Sequence, residues 1–534
     1  MPVTVFDDPS PSYYPINGSL IYLWLMLPLD SVFLADLGQV PFFVLGFASV
    51  YALARRFKLS SEYAFFGAVL FTLVPNYFKQ LEVAYVDVMV GALFLAACLY
   101  LVRLHERYRI GDVVMFGLSL GLCVGTKSVA LVYAGVLLVP FAALVIRERK
   151  PMGFAAAGTV ALALGGYAYA RNYFLTGNPL YPCEMTLFGK TIFPGVLDLS
   201  TVRAHMEPGK EAFAKLLFHE GMGAQTLVFV LFGMASLACA AALRRKIPLR
   251  ALYWLLACPV ALYLLYRYCV PLANARYLYP ALGLGMVSGM YAAAHWRLAR
   301  RFVQVLVAVC ALVSAAETAS HAELAACAVV SCVLAAGFWY SYKLSVRRLA
   351  VSFGALCLAG AVFLYPAYGR YLKFEYDSYV SAREYSGFWT DATAAWKWLN
   401  ENTHGENIAY AGRPVPFPLY GTRFKNNVFY ASVNEVDPPG IHVYAGSRYR
   451  WGYDFLGMHR SFEEPQNYRG RADYAAWLAN LGRRQTALLF VYSLHQTAIV
   501  SFPLEDSWAR QHPDVFEEVF ANETVRIYRI KHYS

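Results

Sequence analysis

Charge is scarce in this chain: 15% of its 534 residues are Asp, Glu, Lys or Arg, while 58% are apolar. A soluble domain carries about 25% charged residues, so the composition excludes disorder, a coiled coil and one compact soluble domain. Cysteine is sparse too, and none of the ten lies beyond Cys357. Eight of them (Cys98, Cys123, Cys239, Cys258, Cys310, Cys327, Cys332 and Cys357) fall inside apolar runs, where a thiol is a small apolar filler. The absence of CxxC and of any Cys/His cluster argues against zinc, and the C-terminal part owes nothing to disulfides. Residues 1–12 carry neither a signal peptide nor a basic anchor, and no internal repeat is visible.

What the chain has instead is apolar runs. Twelve are long enough to be read as membrane spans: 33–54, 61–76, 84–102, 112–126, 128–146, 152–170, 225–243, 251–266, 277–295, 302–316, 324–342 and 349–366. The net charge is +12 over residues 1–370 and −1 over residues 371–534. The pI of 9.0 is therefore a membrane-loop effect and gives no argument for a nucleic-acid partner. Basic clusters (Arg55, Arg56, Lys58; Arg103, Arg107, Arg109; Arg147, Arg149, Lys150; Arg244 to Lys246 and Arg250; Arg297, Arg300, Arg301; Lys343, Arg347, Arg348) occupy alternate connections without exception. The positive-inside rule puts those connections in the cytoplasm. The reading is a polytopic α-helical membrane protein of about twelve spans. Residues 1–32 form an external N-terminal segment, residues 33–370 a membrane domain with external loop 171–224, and residues 371–534 an external α/β domain.

Intramembrane and interfacial charges are functional candidates by default, and here they gather at the external helix ends. Gln80, Glu82 and Asp87 close one external loop, with Asp87 in the first turn of the next helix. A carboxylate there is also favoured by the helix dipole. Lys127 lies in a tight turn between two apolar runs. Arg171 and Asn172 end a third, before the turn-rich exit Thr176-Gly177-Asn178-Pro179-Leu180-Tyr181-Pro182, and Arg276 opens another. Isolated cations at external ends suit a phosphate-linked lipid, Arg by bidentate contact and Lys as a point charge. Separate interfacial anchoring is the alternative.

These residues resemble the GT-C superfamily of integral-membrane glycosyltransferases, which includes protein O-mannosyltransferases and aminoarabinose transferases. The resemblance is carried by Tyr14-Pro15 with Trp24 to Pro28, Ala52 to Arg56, the Asp87 helix start, Gly121-Leu122 with Gly125-Thr126-Lys127, Arg171-Asn172 with Thr176 to Pro182, and Arg276-Tyr277. It implies an inverting transfer of sugar from a polyprenyl-phosphate donor to an acceptor (lipid, glycan or protein) on the outer face of a bacterial inner membrane, with membrane lipid as the other partner. It further implies Asp87 as a catalytic acidic position, Lys127, Arg171 and Arg276 as donor-phosphate contacts, and Gln80, Glu82, Asn172 and Tyr181 as substrate contacts. No cofactor is implied, and a divalent metal is compatible with the residues without being required. The family's base is an Asp in the first external loop. Asp7 and Asp8 are the carboxylates available before Tyr14. Two expectations follow: either the sequence starts inside that loop, lacking the first helix, or Asp7 or Asp8 serves as the base.

Beyond Arg370 the pattern changes. A helix at 391–400, strands at 408–410 and 428–430, a helix at 474–481, a buried strand at 487–492 and a hairpin at 516–520 and 524–530 form the expected α/β domain. Tyr444, Tyr449, Trp451 and Tyr453 around Arg448 and Arg450 are candidates for stacking on sugar. Two other functions fit a polytopic chain, a transporter or flippase and an O-antigen polymerase or ligase. The first keeps charges at mid-membrane, and the second calls for a large external loop rich in Arg and His.

Overall fold

The computed structural model describes residues 13–29, 32–195, 211, 214–216, 221–243, 247–270, 274–318, 392–412, 415–421, 424–435, 471–493 and 502–531. Asp7, Asp8, the runs 324–342 and 349–366, and the aromatic group between Tyr444 and Tyr453 lie outside these residues.

The membrane part is a helical bundle. Helix α1 (Asn17–Met26) is followed by 3-10 turns, then α2 (Val40–Arg56), α3 (Ser61–Thr72), the short α4 (Pro75–Lys79), α5 (Asp87–Glu106), α6 (Ile110–Thr126), α7 (Val129–Arg147), α8 (Pro151–Gly165) and α9 (Tyr167–Thr176). A small hairpin, β1 (Met185–Leu187) with β2 (Lys190–Phe193), precedes α10 (Thr226–Ala242), α11 (Leu249–Cys269), α12 (Tyr279–His295) and α13 (Arg300–Thr318). Among the described residues, five helices have the length and apolarity to cross a bilayer, or six if α8 and α9 are one bent span. At 20 residues α5 is about 30 Å long, the thickness of the hydrocarbon, and among the described residues it is the most buried of the five long apolar helices.

Several expected spans are differently built. The run 33–54 begins as a 3-10 stretch (Val32–Gln39) and becomes α-helical only at Val40, with proline at Pro41 in the first turn. The run 61–76 ends at Thr72, because Pro75 starts a separate short helix. The run 152–170 is broken at Gly165-Gly166, and α9 leaves α8 at 69°. Arg171 therefore sits on a helix lying across the bundle rather than at the end of a straight span.

Glycines set the tightest packing. On α6, a Cβ at Gly117 or Gly121 would fall 2.6 Å from the carbonyl oxygen of Ala157 or Ala161 on α8, so the two backbones touch directly. At the basic-loop end, Glu106 holds Arg56 (3.1 Å) and Arg250 (2.7 Å), Glu62 holds Arg300 (2.7 Å), and buried Asp112 holds Arg103 (2.9 Å). Basic connections far apart in sequence thus converge on one face.

The C-terminal domain is a five-stranded sheet of order β4-β3-β5-β7-β6, with β3 (Asn407–Ala411), β4 (Asn427–Tyr430), β5 (Leu488–Tyr492), β6 (Phe516–Ala521) and β7 (Val525–Ile530). Pairs β3–β4 and β3–β5 are parallel, while β5–β7 and β6–β7 are antiparallel. Alternate side chains feed two cores. One face packs Trp396 and Leu399 of α14 (Ala392–Asn402) on Ile408, Tyr410, Phe490 and Ile527. The other packs Trp477 and Leu481 of α15 (Tyr474–Arg483) and Ala509 of α16 (Leu504–Gln511) on Ala409, Leu489 and Val491. Helix α16 is the element the sequence reading left out: Leu504–Gln511 is short and largely polar. Two buried polar networks tie these layers together. The Trp396 Nε1 donates to the Tyr492 hydroxyl (2.7 Å), which donates to the Val415 carbonyl (2.8 Å), while Tyr528 donates to Asp506 (2.7 Å), which also pairs with Arg526. Burial raises the pKa of Tyr492 and of Tyr528, which keeps both as donors.

Candidate active site

Opposite the basic-loop end, three chain segments meet on one carboxylate. Asp87 opens α5 and is 2% exposed. Lys127 is one of two residues joining α6 to α7, and its extended backbone carries Nζ to within 2.7 Å of Asp87 Oδ1. Arg276 comes from a 3-10 turn (Ala275–Leu278) whose start is capped by the Asn274 side chain, and its Nε lies 3.3 Å from Asp87 Oδ2. Aromatic faces complete the enclosure: Tyr277 lies 4.5 Å from Lys127 Nζ, and Tyr85 lies 4.3 Å from the Arg276 guanidinium. Lys127 and Arg276 keep 26% and 20% of their side-chain exposure, so the cations face outward and the carboxylate inward. Among the described residues the cluster holds two cations and one carboxylate, a surplus of one positive charge.

The loop before Asp87 is fixed by side chains that sequence reasoning passed over. Gln39, fully buried, donates to the carbonyls of Gln80 and Val83 (2.8 Å to the latter) and accepts from the Val88 N–H (3.3 Å). Tyr22 on α1 donates to the Tyr85 carbonyl. The signal for Gln39 was a lone amide within an otherwise apolar run, and an uncharged side chain attracts no notice there. Gln80 is buried and joins the cluster's wall through its backbone, and Glu82 ends the 3-10 turn Gln80–Glu82. Behind them Tyr279, stacked edge-on to Tyr77 (4.7 Å), donates to the Asn76 carbonyl (3.0 Å).

Arg171, Asn172 and Tyr181 form a second group. The Arg171 guanidinium donates through Nε and Nη2 to Asn172 Oδ1 (3.2 and 3.0 Å), an uncharged partner. Asn172, 2% exposed, donates in turn to the carbonyls of Tyr13 (2.8 Å) and Tyr181 (3.3 Å), and the Tyr13 and Tyr181 rings meet edge to face at 4.7 Å. Its amide is thus engaged in holding the chain exit and orienting Arg171. Asn178, fully buried, donates to the Cys183 and Pro194 carbonyls (both 2.9 Å) and so closes the base of the β1–β2 hairpin. The helix ends at Gly177 with φ +73, a left-handed stop that suits glycine. The sequence expected Lys127, Arg171 and Arg276 to converge. The structure brings Lys127 and Arg276 together on Asp87 and sets Arg171 in a separate group with Asn172. Among the described residues no group of three or more His, Cys, Asp or Glu side chains is placed to hold a metal.

With this geometry in view, known proteins can be compared. The family profile described as dolichyl-phosphate-mannose-protein mannosyltransferase matches residues 15–165. No curated protein matches the chain by sequence. By structure, ArnT from Cupriavidus metallidurans bound to undecaprenyl phosphate aligns with a TM-score of 0.52 at 14% identity, covering 97% of this chain and 88% of that one. ArnT of the same organism in the apo state aligns with a TM-score of 0.51 at 14% identity, covering 97% and 87%. At this identity the structural likeness speaks for the fold. The matched profile covers the spans that carry Asp87 and Lys127, and the fold is shared with the two ArnT structures over almost the whole chain.

Proposed function

We propose that the protein is a membrane glycosyltransferase that moves a sugar from a polyprenyl-phosphate donor to an acceptor on the outer face of the membrane, with the C-terminal domain on that side. A bacterial inner membrane is the proposed setting. The observation that carries the reading is the two-cation, one-carboxylate cluster at the ends of α5, α6 and α12. A surplus positive charge half shielded by aromatic rings is a seat for a monoanion or dianion at the bilayer interface. It lies opposite the arginine belts, where the positive-inside rule puts the external face.

The chemistry asks little of such a site beyond charge placement. As the bond between the sugar's anomeric carbon and the phosphate oxygen breaks, negative charge grows on the departing phosphate, and Lys127 and Arg276 stand where that charge would be met. The acceptor hydroxyl attacks the anomeric carbon from the opposite side and gives up its proton to a carboxylate base, the role proposed for Asp7 or Asp8. One displacement inverts the anomeric centre. Buried between the cations, Asp87 acts by holding both in place. Arg171, oriented by Asn172, is proposed to meet a second polar group of the donor or acceptor.

The test is transfer by the purified full chain in nanodiscs, supplied with a panel of undecaprenyl-phosphate monosaccharides together with lipid, glycan and peptide acceptors, and read as acceptor-dependent release of undecaprenyl phosphate. Lys127→Ala and Arg276→Ala are expected to lower release by at least about a hundredfold, the loss typical of removing one charge-stabilising donor. Release at the wild-type rate by both variants would discard the assignment.

A further inference from the structure

We infer that Gln39 is a positioning residue for the anion site. It holds the loop that aims Asp87, and through Asp87 the two cations. This rests on the reading of the Lys127–Asp87–Arg276 cluster as a phosphate seat.

The loop Gln80–Val86 has little regular structure of its own. It is a single 3-10 turn followed by the extended Val83 and a tight turn, ending where α5 begins. Carbonyls in such a stretch need partners when buried. Local turns supply part of this, since Val83 N–H reaches the Gln80 carbonyl and Tyr85 N–H the Val83 carbonyl, and one side chain adds the long-range part: the Gln39 amide donates to both carbonyls, and its oxygen accepts the Val88 N–H in the buried first turn of α5. Those contacts bracket Asp87 from both sides in sequence. Gln39 lies at the end of a 3-10 stretch rather than in α2 proper, which turns its amide across the bundle toward residues more than forty positions away.

A second grip works from the same segment. Tyr22 donates to the Tyr85 carbonyl, and the Tyr85 ring carries the Arg276 guanidinium. Gly38 makes room for this: a Cβ there would fall 2.5 Å from the Tyr22 ring. Residues 22, 38 and 39 thus act together on residues 80–88. No residue of the clamp touches either cation directly among the described contacts, so its effect on phosphate runs through loop geometry.

A buried glutamine can also matter only for stability, and the bundle provides a matched comparison. Gln225 is equally buried, donating to the Leu70 carbonyl (3.3 Å) and accepting from Ser314 (2.6 Å), and none of these described contacts falls on the loop Gln80–Val86 or on Asp87. In nanodiscs holding the full chain, undecaprenyl phosphate is titrated against wild type, Gln39→Leu, Gln225→Leu and Lys127→Ala. Gln39→Leu is expected to weaken binding about tenfold or more, while Gln225→Leu stays within about twofold even where both lower the melting temperature, because one lost hydrogen-bond set is worth roughly a factor of ten. A second readout needs no ligand: the rate of reductive methylation of Lys127, followed by mass spectrometry, rises in Gln39→Leu and not in Gln225→Leu. Equal effects of the two glutamine variants on both readouts, or none from Gln39→Leu, overturn the positioning role. Unchanged binding in Lys127→Ala overturns the phosphate reading instead, and the methylation rates then still decide whether Gln39 orders the cluster.

Discussion

Replacing Asp87 by Asn separates the charge of the cluster from its shape. The side chain keeps its size, and with Gln39 and Tyr22 untouched the loop keeps its hydrogen bonds. What disappears is the carboxylate between Lys127 (2.7 Å) and Arg276 (3.3 Å), on a residue 2% exposed. Removing one partner of a buried ion pair costs about 3–5 kcal/mol. The two cations retain 26% and 20% of their exposure, so water recovers part of that loss. The expected destabilisation is about 2–3 kcal/mol. Affinity moves the other way. A carboxylate about 5 Å from a bound phosphate repels it by about 3 kcal/mol at an effective dielectric of 20. With half of that screened, and with an amide oxygen still able to accept from Lys127 while Tyr85 still lies against Arg276, Asp87→Asn binds undecaprenyl phosphate about tenfold more tightly, while turnover falls because the spent carrier leaves slowly. Thermal unfolding with and without undecaprenyl phosphate checks both parts: a lower midpoint without the lipid, and a larger upward shift with it than in wild type. An unchanged midpoint in its absence would refute the ion-pair energetics. Weaker phosphate binding would refute the electrostatic account of the seat.

Other substitutions probe the frame around the site. Gly121→Ala places a methyl group 2.6 Å from Ala161 backbone atoms and is expected to cost about 2 kcal/mol, whereas Gly135→Ala in α7, with open space around it, gains up to about 1 kcal/mol in helix propensity; paired melting curves read the contrast. Asn178→Ala removes the buried amide that holds the Cys183 and Pro194 carbonyls, and limited proteolysis should then cut faster within residues 185–193, with a loss of about 1 kcal/mol. Tyr492→Phe removes the acceptor of Trp396 Nε1 and the donor to Val415, for about 1–2 kcal/mol, seen as earlier unfolding by tryptophan fluorescence.

Much of the architecture was legible because membrane burial writes itself in long apolar runs and because basic residues keep to one side. The strands of the C-terminal domain were equally open to reading: Ala487 to Tyr492 is an unbroken apolar run, and the structure buries β5 on both faces. Asp87, Lys127 and Arg276 stood out as ionisable groups where apolar helices end. Their meeting is a property of three-dimensional packing, and so is the separation of Arg171. A glycine pair inside the run 152–170 does not announce a 69° bend, since glycine is tolerated in many membrane helices. Gln39 escaped for a different reason. Its work is done on backbone carbonyls more than forty residues away, and backbone groups have no signature in a sequence.

The bend between α8 and α9 is seated against α6 on glycine, where Gly165 meets the Gly121 backbone directly. The Asn17 side chain lies beside Gly125, and Tyr169 of α9 donates to the Val124 carbonyl of α6 (2.8 Å). Such a joint behaves like meshed teeth. Arg171 is carried by the helix that leaves this joint and Lys127 by the tip of α6 that lies against it. A side chain introduced into the joint is therefore expected to displace both cations together.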